Sequence, residues 1–354
     1  WVICGEKGGF VEILGFFARK VLRVVVVVIG TTLLAFLLMH MIPGNPWSNY
    51  SSNVRAMKGI WLDAAQEKEL NRRFGLDLPL WRQYTRYIVG DFDEQGEFFC
   101  GAICGNLGPS IQQRGRTVQD FLFAAPDGGS FWHSAFGYSI RLVFFASCIA
   151  VGLGIPLGFL TAARAQTRLK RAVSFGLAAL ISIPNFVLGL LAMIVFASWL
   201  KLIPVLPNWN QPAHWIIPAV VLAAMPIASI ARVTQTTLEN TLNKDYILTA
   251  RAKGMTERRV MRVHVLRNAL VPITTFLGPV LMEMFGGLFI VENLYAFPGF
   301  GRGYWDAILK LDYSLAMGVL LLYAVGIGVV NVSIATLCEI LDPRLRAVEE
   351  GTAA

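Results

Sequence analysis

The stretch VLRVVVVVIGTTLLAFLLMHMI, residues 21–42, decides the fold class. Arg23 is its single charged residue, and everything after it is apolar or weakly polar. A bilayer's hydrocarbon core is about 30 Å thick, so a helix of roughly 20 apolar residues crosses it. Valine-rich runs favour strands in water. In lipid a spanning segment must satisfy its own backbone hydrogen bonds, so a single continuous segment is a helix. A membrane barrel would alternate apolar and polar residues, whereas this run is apolar on both parities.

Five further runs of this kind follow, at residues 142–163, 173–200, 215–231, 269–291 and 315–337. Residues 142–163 and 173–200 hold no charge, and residues 269–291 hold only Glu283. Composition agrees: 55% of the 354 residues are hydrophobic and 15% charged, against about 25% charged in a soluble domain. The mean hydropathy is +0.56. The expectation is an all-α integral membrane protein with six transmembrane helices. Residues 1–18 hold no small-residue cleavage site after a short apolar core, so a cleaved signal peptide is not expected.

The formal charge of +8 is distributed by topology, not as a nucleic-acid-binding patch, since no basic cluster interleaved with aromatics occurs outside the short loops. Arg19, Lys20 and Arg23 precede or open the first span. Arg164, Arg168, Lys170 and Arg171 lie between the second and third. Arg232, Lys244, Arg251, Lys253, Arg258, Arg259, Arg262 and Arg267 lie between the fourth and fifth, and Arg344 and Arg346 follow the sixth. The alternate loops hold Lys201 in one and Arg302 and Lys310 in the other. The positive-inside rule therefore puts both termini in the cytoplasm.

This divides the chain into a cytoplasmic segment 1–20, a first span 21–42, an extracytoplasmic loop 43–141, a core 142–346 and a tail 347–354. The long loop carries charges of both signs and exceeds the length at which loop charge sets orientation. Residues 62–73 within it read as a solvated helix. A loop this long is expected to be a small ordered cap outside the membrane.

The loop at 232–268 is the most informative polar stretch. From Asp245 it reads Asp245-Tyr246-Ile247-Leu248-Thr249-Ala250-Arg251-Ala252-Lys253-Gly254-Met255-Thr256-Glu257. Gly254 suits the left-handed geometry that ends a helix. Thr256 suits the N-cap of the next, and Glu257 complements its positive end. The expectation is a short helix across the membrane face, small at Ala250 and Ala252, shaped to press into a groove on a soluble partner.

Thr249-Ala250-Arg251-Ala252-Lys253-Gly254 resembles the coupling-loop motif of ABC importer permeases in its peptide-permease form. Other segments share the resemblance: His40-Met41-Ile42-Pro43-Gly44-Asn45-Pro46 at the exit of the first span, Asn106-Leu107-Gly108-Pro109-Ser110 with Arg116-Thr117-Val118 in the external loop, residues 291–301 at the exit of the fifth span, and Asp342-Pro343-Arg344 in the tail. Together they cover most of residues 20–346 and are most similar to the first, B-type, permease of dipeptide and oligopeptide importers. The general motif opens Glu-Ala-Ala, where this chain has Leu248-Thr249-Ala250. It closes with a Leu-Pro pair, where this chain has Leu266-Arg267-Asn268. Both departures occur in the peptide branch. The insert Cys100-Gly101-Ala102-Ile103-Cys104 lengthens the external loop beyond the family pattern.

The resemblance implies a type I importer permease in a bacterial plasma membrane, a transport subunit and not an enzyme. Its implied partners are a second homologous permease, two ATPase subunits, an extracytoplasmic solute-binding protein and membrane lipid. ATP and Mg would sit on the ATPases, since this chain has no Gly-x-x-x-x-Gly-Lys-Ser/Thr loop and no cofactor of its own is expected. Asp245, Tyr246, Thr249, Ala250, Arg251, Ala252, Lys253 and Gly254 would then carry the coupling. The competing reading is a secondary transporter driven by an ion gradient. Such transporters show inverted repeats and paired broken helices, and no repeat relates spans one to three to spans four to six.

Some residues stay open. Glu283, with Asn185, is a candidate for the solute pathway, where it would meet a cationic amine; it would equally serve as a bond to a neighbouring helix. Cys100 and Cys104 are either bridged or two free thiols. The four histidines have no ligand spacing, and no metal set is visible. Pro156, Pro184, Pro218, Pro226, Pro272 and Pro279 lie in or at the ends of the spans, where proline kinks a helix.

Overall fold

In the computed structural model, the residues described are 9–44, 46–47, 64–92, 96–113, 115–126, 128–162, 167–202, 204 and 207–341. Expectations placed on residues 1–8, on Asn45, on residues 163–166 and on the tail from 342 lie outside them. The chain divides into two compact units. One comprises residues 1–138 and 299–328, the other residues 139–298 and 329–354.

In the first unit the long apolar helix α1, Gly9–Met41, is followed by the polar helices α2, Ala64–Phe74, and α3, Leu80–Ile88. A two-stranded antiparallel ribbon pairs β1, Gly90–Phe92, with β2, Phe98–Cys100. Helix α4, Val118–Phe123, starts with a capping box in which Thr117 and Asp120 exchange side-chain and backbone bonds. Such a box satisfies two of the donors a helix start leaves open. The described part of the polar stretch between the first two long apolar helices thus has regular structure. The outer face of α1 is apolar and exposed at Val25, Val26, Leu34 and Leu38, which suits hydrocarbon and not water.

The loop is tied down from a distance in sequence. Asp312 is 1% exposed. Its carboxylate accepts from the Ser110 hydroxyl, from the backbone N–H of Ile111 and Gln112 at 3.1 Å, and from the N–H of Leu315 at 3.1 Å. A buried carboxylate is tolerable only when fully hydrogen-bonded in this way. Val118 packs where a side chain at Gly318 would otherwise stand, and Phe121 does the same at Gly303. The Asn106–Ser110 and Arg116–Val118 segments are therefore structural anchors.

The second unit is built on α8, Ile216–Leu242. Helix α5, Ala135–Ala162, enters it and crosses α8 at two glycines one turn apart. A Cβ on Gly154 would stand 2.8 Å from Ile230 Cβ, and one on Gly158 would stand 2.5 Å from Thr234 Cβ. Small residues at this spacing let helix backbones approach closely in a membrane. Helix α10, Glu257–Leu294, packs along α8 and is wound as a π-helix over Val260–Leu266. Helices α11, Phe300–Leu309, in the first unit, and α12, Tyr313–Leu341, complete the order.

Among the described residues, five helices are long and apolar enough to cross a membrane. The third expected span, 173–200, is not one continuous helix. It breaks into α6, Arg168–Ser182, and α7, Asn185–Trp199, bent by 108°. Proline has no N–H to donate and disfavours helical geometry in the residue before it. Ile183 accordingly takes φ −97° and ψ 121°, and the Pro184 carbonyl accepts from Val187 and Leu188 to start the next helix. At Pro156, Pro226, Pro272 and Pro279 the chain stays helical. The fourth and fifth helices also extend past their apolar runs. Helix α8 continues to Leu242 and α10 begins at Glu257, so most of the expected loop 232–268 is helix.

Candidate coupling surface and pathway residues

Between α8 and α10 stands α9, Asp245–Ala252. Its end is a full Schellman turn. Gly254, at φ +80°, donates to the Arg251 carbonyl at 2.9 Å, and Met255 donates to the Ala250 carbonyl at 3.3 Å. The accompanying apolar contact is present, since Met255 packs against the cluster that holds Ala250. Thr256 has the extended backbone of an N-cap but makes no side-chain cap bond. Its carbonyl accepts from Arg259 and Val260 instead.

Two residues of α9 point inward. Ile247 is 0% exposed and Ala250 5%; they pack with Ala162, Leu238, Val260, Val265, Ala269 and Ile273. Ala250 is therefore packed against its own chain, on the inward side of α9. Arg251 is also engaged at home: Nε donates to Glu257 Oε1 at 2.7 Å and Nη2 to Oε2 at 3.2 Å. This bidentate pair straps the two sides of the Gly254 turn. What α9 presents outward is Asp245, Tyr246, Leu248, Thr249, Ala252, Lys253 and Gly254. Leu248, 57% exposed, was not among the residues the sequence pointed to. The Thr249 hydroxyl donates back to the Asp245 carbonyl at 3.0 Å, so the outward face of α9 offers an apolar patch rimmed by charge.

Asn185 stands at the start of α7, where its Nδ2 would be 3.3 Å from a Cβ on Gly287. Its Oδ1 is buried without a partner among the described residues. Glu283 lies one helical turn before Gly287 on α10 and is exposed. Asn185 therefore packs against α10 one helical turn from the Glu283 position. The buried glutamate of α10 is Glu292, 0% exposed, whose carboxylate accepts from the Ser139 hydroxyl at 2.5 Å. Next to it, the Tyr295 hydroxyl donates to the Gly189 carbonyl at 3.0 Å, and Phe297 sits between Trp209 and Trp215 with ring centroids 4.6 and 4.9 Å away. Residues 291–297 thus knit the end of α10 into the unit. The Cys100 and Cys104 sulfurs are joined, with Cα atoms 5.8 Å apart. Among the described residues no group of His, Cys, Asp and Glu could hold a metal ion.

The model of the family described as "Binding-protein-dependent transport system inner membrane component" matches residues 154–347, which contain α9, its Gly254 turn and both pathway candidates. The chain belongs to this family. It is a transport component and not an enzyme, as expected, and the ion-gradient-driven alternative is removed. Its relatives include the dipeptide transport system permease protein DppB of Bacillus subtilis (strain 168), 34% identical, with 90% of this chain and 94% of the relative covered. The DppB of Escherichia coli (strain K12) is 32% identical over 94% of this chain and 99% of that protein. The oligopeptide transport system permease protein AppB of Bacillus subtilis (strain 168) is 28% identical over 93% of this chain and 98% of that protein.

Proposed function

We propose that this chain forms half of the solute pathway of a peptide importer in a bacterial plasma membrane and that separate ATPase subunits drive it by gripping α9. The bent pair α6–α7 counts as one span in this reading, giving six, with both termini, α9 and residues 232–268 on the cytoplasmic side. Residues 43–141 form the external cap, residues 142–346 the permease core, and residues 1–20 and 347–354 cytoplasmic ends. A second permease completes the pathway. An extracytoplasmic binding protein delivers the solute, and ATP and Mg belong to the ATPases.

The observation that carries the proposal is the anatomy of α9. One side is locked into the permease core through Ile247 and Ala250, and the other offers Tyr246, Leu248 and Thr249 to a partner. A helix anchored on one face and free on the other transmits a push, because packed cores shift as units and do not deform smoothly. Asp245, Ala252, Lys253 and Gly254 border the grip, and Arg251 holds the turn rigid. Glu283 and Asn185 line the pathway, the carboxylate facing a cationic peptide amine. The names of the relatives support a dipeptide or oligopeptide as solute.

The test is reconstitution in proteoliposomes with the cognate permease, ATPases and binding protein. Dipeptide-loaded binding protein is expected to stimulate ATP hydrolysis and uptake together. Hydrolysis indifferent to loaded binding protein would contradict the proposal.

A further inference from the structure

The apolar part of α1, Val21–Met41, is 21 residues long. At 1.5 Å per residue it covers about 30 Å, the thickness of the hydrocarbon core. Helix α3 is bonded to it from its middle to the end that leads into the polar stretch. The Tyr84 hydroxyl lies 2.9 Å from the Thr32 hydroxyl and donates to the Ile29 carbonyl at 3.1 Å. The Tyr84 and Phe36 ring centroids are 5.5 Å apart, and Gln83 Oε1 lies 3.2 Å from His40 Nε2. Positions 29, 32, 36 and 40 form one stripe of α1. Leu33 and Leu37, beside that stripe, are exposed. Thr32 precedes Met41 by nine residues, so it stands about 14 Å below the exit of the apolar stretch. A tyrosine side chain is shorter than that. The backbone of α3 at Tyr84 therefore lies below the level of Met41.

What α3 and its ribbon expose is strongly apolar. Trp81 is 69% exposed, and Val89, Phe92, Phe98 and Ile103 are exposed as well. Phe92 and Phe98 pair across the ribbon, with ring centroids 5.4 Å apart. The ribbon is held on the end of α3. Gly101 donates to the Val89 carbonyl at 3.0 Å, and a Cβ on it would stand 2.5 Å from the Tyr87 carbonyl. The Cys100–Cys104 bridge closes the turn that carries Ile103. Charges in this region are turned on protein groups. Arg82 donates to Asp91 through Nε at 3.1 Å and Nη2 at 3.3 Å, and the Arg86 guanidinium lies 4.9 Å from the Phe99 ring centroid. Helix α2 is the contrast within the same unit. It exposes Lys68, Glu69, Arg72 and Arg73 and no large apolar side chain, as a helix in water does.

We propose that Trp81, Val89, Phe92, Phe98 and Ile103 are buried in the outer leaflet of the bilayer, at the boundary between lipid headgroups and acyl chains. An amphipathic helix lies at that boundary with its apolar side about 5–10 Å deep, and tryptophan concentrates there. The ribbon limits the depth. Its open backbone edges need water or headgroups, so it does not enter the hydrocarbon centre. Lipid is favoured over a soluble partner by the position of α3, because a partner would have to reach below the exit of α1 to cover it. The inference rests on reading α1 as a membrane span that exits outward. It puts this part of the external loop in the membrane surface and not above it.

The experiment uses the full chain assembled with the cognate permease, ATPases and binding protein in liposomes of phosphatidylethanolamine and phosphatidylglycerol. The photoreactive residue p-benzoylphenylalanine replaces Trp81 or Phe98. The same residue at Leu34 on α1 is the lipid-facing reference, and at Lys68 on α2 the water-facing one. After irradiation, mass spectrometry separates phospholipid adducts from protein crosslinks. Phospholipid adducts at Trp81 and Phe98 are expected at the level of Leu34 and at least about tenfold above Lys68. Crosslinks to the binding protein or the second permease in their place, or phospholipid adducts no commoner than at Lys68, would overturn the proposal. If Leu34 still takes lipid in that case, α1 stands as a span and only the new inference fails. If Leu34 takes none, the span reading fails with it.

Discussion

Replacing Gly254 by valine tests the turn that holds α9. Gly254 has φ +80° and nothing within 4 Å of the position a Cβ would take. The substitution therefore meets no clash, and its whole cost is conformational. A non-glycine residue in the left-handed region costs about 1–2 kcal/mol, and β-branching puts valine at the upper end of that range or above. About 2 kcal/mol corresponds to roughly a thirtyfold shift in a local equilibrium. The bonds lost on opening are Gly254 N–H to the Arg251 carbonyl and Met255 N–H to the Ala250 carbonyl. Hydrogen exchange at these two amides should speed up about thirtyfold in Gly254→Val and about tenfold in Gly254→Ala. Exchange at Leu222, inside α8, should stay the same. In proteoliposomes the valine variant should hydrolyse ATP with little uptake. Unchanged exchange and normal uptake would refute the argument that this cap holds the helix the motor grips.

Other perturbations address the packing. Asp312→Ala removes the acceptor for the Ser110 hydroxyl and for the N–H groups of Ile111, Gln112 and Leu315. Leaving buried donors unpaired costs about 1–3 kcal/mol each, so the segment around Ser110–Gln112 should become protease-sensitive while the chain still inserts. Gly158→Val drives a side chain into Thr234 and the Ala231 carbonyl and should lower the melting temperature in detergent by an amount matching about 1–3 kcal/mol of overpacking. The β1–β2 ribbon and α4 should also respond to acid. Asp91, held by its hydrogen bond to Arg82, and Asp120, held by Thr117, both have pKa values below the ordinary 3.8. Their folded values are depressed, so their contribution is present above 3.8 and lost as pH falls through the lower folded values. Amide protection factors in β1 and α4, corrected for the intrinsic pH dependence of exchange, should therefore hold steady to pH 4 and fall only in stronger acid.

Hydropathy reads where the bilayer is, and that is why the spans were legible while the helix ends were not. Residues 232–242 and 257–268 are helical but polar, and an apolar run stops at the membrane surface without marking a helix end. The break at Pro184 was hidden for the opposite reason. Both arms of α6–α7 are apolar, so the run is continuous in hydropathy although the backbone is not. Gly254 was legible because a positive φ is a local demand that glycine meets alone among good candidates. The inward turn of Ala250 depends on Val260, Val265 and Ala269, and the Asp312 anchor on residues about 200 positions earlier in sequence. No local pattern carries such pairings. The Gly154-x-x-x-Gly158 spacing was visible in the sequence as a packing signal.

The claim on which the account rests is that α9 faces the cytoplasm with its outer surface free for a motor subunit. A single cysteine placed at Leu248, in the chain freed of its other reactive thiols, can be probed with a membrane-impermeant maleimide on sealed right-side-out and inverted vesicles. The account predicts labelling only in inverted vesicles, and protection when the ATPase subunits are bound. Labelling from outside the cell, or equal labelling with and without the ATPases, would contradict it.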